Sequence, residues 1–236
     1  YIDATGDRSI LRELYGPVCE RLAYYRSLLT PDGGLLTRSW NLVDWAALDI
    51  SDYCVCTAYQ GLLAYCFDCA ARFAEMQEKQ ADAQKFTDTA KLLRHYLSQV
   101  LWDDTRKAYR DSWSPETGLS KTFSIQTHML LLVYHAIEEP ERRALVMEYV
   151  QNRPVDFLDV GSPFMLYYLY EAWAQLGVCD PIMEDIKHRW GEMLRYETTT
   201  CWEVFPGFYE NSRTRSYCHA WSTAPAMLMQ KYLLGI

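Results

Sequence analysis

The chain is a run of amphipathic segments joined by links whose lengths alternate. Apolar residues recur at three- and four-residue spacing, as in Leu11, Leu14, Tyr15, Val18, Leu22 and Tyr25, and again in Met165, Tyr168, Leu169, Ala172, Trp173 and Leu176. That period puts one face of a helix into a core. It predicts eight helices, at 7–29, 53–78, 81–102, 122–137, 140–151, 164–176, 181–196 and 220–234. The links at 79–80, 138–139 and 177–180 are short, whereas those at 30–52, 103–121, 152–163 and 197–219 are long. Short links make antiparallel helical hairpins. If the hairpins pack side by side, every long loop emerges at one end. Ordered loops longer than about 12–15 residues are usually functional. The expectation is therefore an all-α fold with one loop-bearing face. Strand-like alternation is scarce, and no repeat of fixed period marks a regular solenoid.

Composition narrows the class. The 236 residues, 50 % of them hydrophobic, suffice for one sizeable core, and residues 1–236 read as a single domain. The formal charge of −8 comes without a basic stripe, which argues against nucleic acid. No apolar run approaches the roughly 18 residues of a membrane span. No signal peptide opens the chain, and a start at Tyr1 inside a patterned segment reads as part of a longer protein. Eight cysteines without a disulfide pattern favour a reducing, cytoplasmic compartment. Cys54, Cys56, Cys66 and Cys69 have a spacing that invites zinc, but they fall within a predicted helix, where a zinc ribbon would need turns.

Carboxylates and tryptophans gather in the long loops. The first carries Asp44 and Trp45 in SWNLVDWA, with Trp40 beside them, and the second Asp111 and Trp113 in YRDSWS. The third carries Asp156, Asp159 and Phe164 in DFLDVGSPF. The fourth holds Trp202, Glu203, Phe208 and Tyr209, then His219 and Trp221 in YCHAWS. Aromatic faces cover the C–H side of a sugar ring, and carboxylates bind hydroxyls or transfer protons. Glycosidases use a pair of such carboxyl groups. The plainer reading makes Asp44 and Asp111 solvated or helix-capping groups and the loop tryptophans plugs for helix ends. His128, in TFSIQTHML, suits either the site or the core. No Ser/His/Asp order, Gly-rich phosphate loop or HExxH is present.

TTTCWE at 198–203, followed by CHAWSTAP at 218–225 and a closing LLGI, resembles glycoside hydrolase family 78, the α-L-rhamnosidases. ATGDRSILRELYGPVCERL, LVDWA, LWDDTRKAYRDS, GSPFMLYYLYEAW and RWGEML add supporting similarity over almost the whole chain. The resemblance implies an (α/α)6 barrel of twelve helices, of which about eight are present. It also implies inverting hydrolysis of terminal α-L-rhamnosyl residues, with no metal or cofactor required. The family's general base falls on Glu203, with Trp202 shaping the sugar subsite, His219 and Trp221 touching the sugar, and Asp44 and Trp45 beside it. The family reads Gly where this chain has Ala220. The family's general acid lies in a motif upstream of the matched region. Arg12–Glu13 only superficially matches it, so residues 1–236 alone are expected to be inactive or nearly so. The implied partner is a rhamnose-containing glycoside, and a partial barrel would expose apolar flanks and favour self-association. Two rival readings are a carbohydrate-binding or interaction protein on the same barrel and another six-hairpin enzyme, such as a glucosidase or polysaccharide lyase.

Overall fold

The structure is a computed structural model that describes residues 2–205 and 214–235. Phe208 and Tyr209, and the Pro206–Gly207 turn expected before them, lie outside the described residues.

The expected helices are present, preceded by a single turn. They are α1 (Ile2–Thr5), α2 (Ser9–Ser27), α3 (Thr57–Glu75), α4 (Gln80–Tyr96), α5 (Ile125–Val133), α6 (Pro140–Gln151), α7 (Pro163–Gln175), α8 (Asp180–Leu194) and α9 (Ala224–Leu228). π-helical turns extend α4 through Leu97–Leu101 and α9 through Met229–Leu234. Prolines start α6, α7 and α8, where their missing N–H has no intrahelical role to lose.

Each short link closes in the same way. Residues Glu78, His135 and Gly177 adopt positive φ, at 61°, 50° and 74°. The next N–H reaches back to the helix: Lys79 to Ala74 O (2.9 Å), Ala136 to Leu131 O (2.9 Å) and Val178 to Trp173 O (2.8 Å). These are Schellman closures, which satisfy the last carbonyls of a helix and reverse the chain. They turn α3 into α4, α5 into α6 and α7 into α8.

The hairpins stand side by side. α3, α5, α7 and α9 contact one another in that order, while α4 lies against α3 and α6 against α5 and α7. α8 is tied to α7 by the Tyr170 hydroxyl, which donates to Asp185 (2.7 Å). The inner row is apolar nearly all round. In α5 every residue from Ile125 to Leu132 is buried, whereas α6 buries Val146 and Val150. Inner helices apolar on most faces, backed by outer helices buried on one stripe, form an arc of an (α/α)6 barrel. Its core joins Cys56, Leu97, Leu101, Met129, Leu131, Leu166, Leu169 and Tyr170. At the start of the arc, α2 and α3 leave an apolar groove of about 290 Å³ lined by Ile10, Leu14, Val18, Phe73 and Met76.

One helix start moves. The segment 53–56, expected to open the second helix, is strand β2 (Tyr53–Cys56), between β1 (Leu36–Arg38) and β5 (Ser112–Ser114). The pairs Leu36–Val55 and Val55–Trp113 set the register. β-Branched and aromatic side chains suit that half-buried ladder, and sheet pairing overrides the local helical period. Three two-residue strands complete the loops: β3 (Trp102–Asp103), β4 (Ala108–Tyr109) and β6 (Gly118–Leu119). Thus residues 36–38 of the first long loop and the 112–119 hairpin of the second join β2 in one antiparallel sheet, β1-β2-β5-β6.

Candidate active site

All four long loops meet at the end of the arc opposite the short links. The first and third are joined through Asp44. Its Oδ1 accepts from Trp45 N (2.8 Å) and the Ser162 hydroxyl, and its Oδ2 from Gln126 Nε2 (2.8 Å) and Gly161 N (2.7 Å). Ser162 is the N-cap residue of α7, and its hydroxyl goes to Asp44, not to its own helix. Burial pushes the Asp44 carboxyl above its ordinary range, and those four donors pull it back. Gly161 is the contact point: a Cβ there would lie 1.7 Å from Trp45 O.

Asp111 is a second buried anchor. It accepts from the hydroxyls of Thr122 (2.6 Å), Ser124 (2.5 Å) and Thr127 (2.6 Å), where the second loop enters α5. Burial raises its pKa against the pull of those hydroxyls. Neither aspartate is the solvated group of the plainer sequence reading. Asp156 forms a two-bonded pair with Arg106 (2.8 and 2.8 Å), and Asp159 pairs with Arg153 and Arg189.

His128 belongs to the core. It is fully buried among the rings of Tyr109, Tyr149 and Phe157. Nε2 accepts from Tyr109 N (3.1 Å), so the proton sits on Nδ1 and is donated to Ser124 O (2.7 Å). Burial pushes its pKa down to about 4.

The fourth loop folds as two limbs. Glu203 N donates to Ser216 O (3.0 Å), His219 N to Cys201 O (2.9 Å) and Val204 N to Thr214 Oγ1 (3.2 Å). This brings two residues 16 positions apart together, with His219 Nδ1 4.0 Å from Glu203 Oε2. Arg215 Nε stands 4.0 Å from the other oxygen, Oε1. The Glu203 side chain is 13 % exposed. The Arg215 guanidinium also lies 4.6 Å from the centre of the Trp45 ring, which joins the fourth loop to the first. On the other side His219 meets Trp221 (5.6 Å between ring centres), and Trp221 meets Phe164 of the third loop (5.2 Å). Trp40 lies 6.2 Å from Trp45. The result is a row of consecutive neighbours: Trp40, Trp45, Arg215, Glu203, His219, Trp221 and Phe164.

Of the sequence candidates, Trp45, Glu203, His219 and Trp221 come together in this row, with Asp44 anchoring the loop that carries Trp45. Trp202 does not join them. It is 1 % exposed, donates from Nε1 to Thr198 Oγ1 (2.8 Å) and packs on Tyr196 and Tyr217. A ring so enclosed supports the loop beneath Glu203. Arg215 was missed. The signal available in sequence is an arginine four residues before His219 on the limb that returns past Glu203. Among the described residues, no three His, Cys, Asp or Glu side chains cluster as metal ligands.

This arrangement can hold a carboxylate between two nitrogen groups and between aromatic faces that cover a sugar-sized ligand. Comparison with known proteins identifies the setting. The family model for the bacterial alpha-L-rhamnosidase six-hairpin glycosidase domain matches residues 1–233. The crystal structure of a GH78 family rhamnosidase of Bacillus sp. GL1 superposes with a TM-score of 0.89 at 32 % identity, over 96 % of this chain and 24 % of that one. A rhamnosidase from Klebsiella oxytoca with rhamnose bound superposes with a TM-score of 0.77 at 24 % identity, over 100 % of this chain and 45 % of that one. A sialidase with 10 % identity shares the fold alone, with a TM-score of 0.67. No curated protein sequence matched the chain. The chain thus spans a quarter of the Bacillus protein and under half of the Klebsiella one. With the hairpin arc, the loop-bearing end and the whole-length match in agreement, the chain belongs to the six-hairpin glycosidase domain family of the bacterial α-L-rhamnosidases.

Proposed function

We propose that this chain supplies the general base and part of the sugar subsite of an inverting α-L-rhamnosidase. The observation that carries the reading is the setting of Glu203: a shielded carboxylate with cationic or basic nitrogen 4.0 Å from each oxygen, between loops that bear Trp45 and Trp221. A separation of 4.0 Å is longer than a hydrogen bond and suits a bridging water.

In this reading a terminal rhamnosyl ring lies against Trp45 and Trp221, with His219 hydrogen-bonded to a ring hydroxyl. Glu203 takes a proton from a water as that water's oxygen attacks the anomeric carbon. The bond to the leaving oxygen breaks on the opposite face, and a general acid protonates that oxygen. Inverting enzymes keep the two carboxyl groups roughly 6.5–9.5 Å apart, which leaves room for the water. The acid is assigned to a part of the protein outside residues 1–236, so the isolated chain is expected to turn over poorly. Asp44, with four donors on its two oxygens, acts by holding the first loop against the third, not by binding sugar directly.

The test is hydrolysis of a panel of aryl glycosides by the longer protein, with Glu203→Gln beside it. Cleavage of the α-L-rhamnoside, reduced at least about 100-fold in the variant, is the expected result for loss of a general base. Wild-type turnover in Glu203→Gln would remove Glu203 from the mechanism. Binding of rhamnose with no cleavage of any glycoside would replace the enzyme with a sugar-binding protein.

A further inference from the structure

The Arg215 side chain stands between the first and fourth loops. Both of its neighbours are tied to the opposite limb, since the Thr214 side-chain Oγ1 accepts from Val204 N (3.2 Å) and Ser216 O accepts from Glu203 N (3.0 Å). The guanidinium sits 4.6 Å from the centre of the Trp45 ring and 4.0 Å from Glu203 Oε1. His219 faces the other oxygen at 4.0 Å. The two carboxylate oxygens are thereby distinguished, one beside arginine and one beside histidine.

We infer that Arg215 is a positioning residue for Glu203, and that Trp45 affects turnover through it. The inference rests on Glu203 being the base. A glutamate side chain has three rotatable bonds, and a base must present one oxygen to water within a few tenths of an ångström. A planar guanidinium stacked on an indole loses rotational freedom, so its N–H edge keeps one direction. Lysine would keep the charge but not the plane. The Arg215 side chain is 53 % exposed, and ion pairs in such settings add little to folding. Its loss should therefore leave the fold intact and appear in catalysis.

The experiment uses the longer protein with 4-nitrophenyl α-L-rhamnoside. Arg215→Gln should lower kcat about 10- to 100-fold, the scale set by misplacing a reacting group. KM should stay within about twofold, and the thermal midpoint should not move by more than about 2 °C. Arg215→Lys should recover part of kcat. In Arg215→Gln/Trp45→Leu, kcat should match the weaker single variant, because both changes release the same carboxylate. Additive losses of kcat, or a change confined to KM, would overturn the role. So would a kcat for Arg215→Gln equal to wild type while Glu203→Gln is inactive; in that case the proposed function stands and the positioning role falls. Wild-type turnover in Glu203→Gln would sink both together.

Discussion

Replacing Gly161 with alanine tests whether the site depends on the closure of two loops. The added Cβ would lie 1.7 Å from Trp45 O, 2.5 Å from Trp45 C and 3.2 Å from Ala46 N, where ordinary contact begins at 3.4 Å. The obstacle is backbone, so no side chain can rotate away. The third loop must move off the first, which stretches the 2.7 Å bond from Gly161 N to Asp44 Oδ2. Losing a hydrogen bond to a buried charged group costs about 1.5–3 kcal/mol. Overpacking a close contact costs about 1–3 kcal/mol. Together these give a loss of about 2.5–6 kcal/mol. In a domain of this size each 1 kcal/mol moves the midpoint by about 2–4 °C, so thermal unfolding followed by circular dichroism should show a drop of about 10 °C. A drop under about 3 °C would refute the reasoning, since it would mean that the loops separate freely and that Asp44 does not hold them.

Other changes should go the opposite way or respond to pH. Gly191 lies inside α8, and a Cβ there would meet nothing within 4 Å; Gly191→Ala should stabilise by about 0.5–1 kcal/mol in urea titration. Burial depresses His128 to about 4 from an ordinary 6.5, so the unfolded chain binds the extra proton between those values. Stability from this residue is complete above pH 6.5 and lost as pH falls towards 4, by up to about 3 kcal/mol. Asp44 and Asp111 have raised values and act in the opposite sense, because they favour the folded state as they protonate. The difference in unfolding free energy between wild type and His128→Gln isolates the histidine: it should shrink as pH falls through that window, and a flat difference would count against the burial.

The hairpins were legible because their signals are local. Apolar spacing at three and four residues located α2, α4, α6, α7 and α8 to within a few residues. Pro140, Pro163 and Pro181 lie in the first turns of α6, α7 and α8, and Gly177 at a reversal. The equivalent reversals at Glu78 and His135 carry no such mark, since each residue holds a positive φ that its type does not favour, and only the bonds to Ala74 O and Leu131 O reveal the shared closure. The sheet that binds the first two loops was hidden for a related reason. Val55 pairs with Leu36 on one side and Trp113 on the other, and neither partner is near it in sequence.

The site divides along the same line. Asp44, Asp111 and Glu203 look alike in sequence, each a carboxylate next to or two residues from a tryptophan. What separates them is the number and kind of donors that folding delivers. Asp44 receives four donors, from Trp45, Gln126, Gly161 and Ser162, the last three 82, 117 and 118 positions away. Asp111 receives three hydroxyls. Donors within the fold already occupy those oxygens, so both carboxylates tie loops together. Glu203 is flanked by Arg215 and His219 at 4.0 Å, near enough to orient it and too far to occupy its lone pairs directly. General-base chemistry needs that intermediate state: shielded, oriented and still able to accept. A motif can point to Glu203, but what separates it from the two struts, and fits the role proposed for it, lies in contacts that only the folded loops supply.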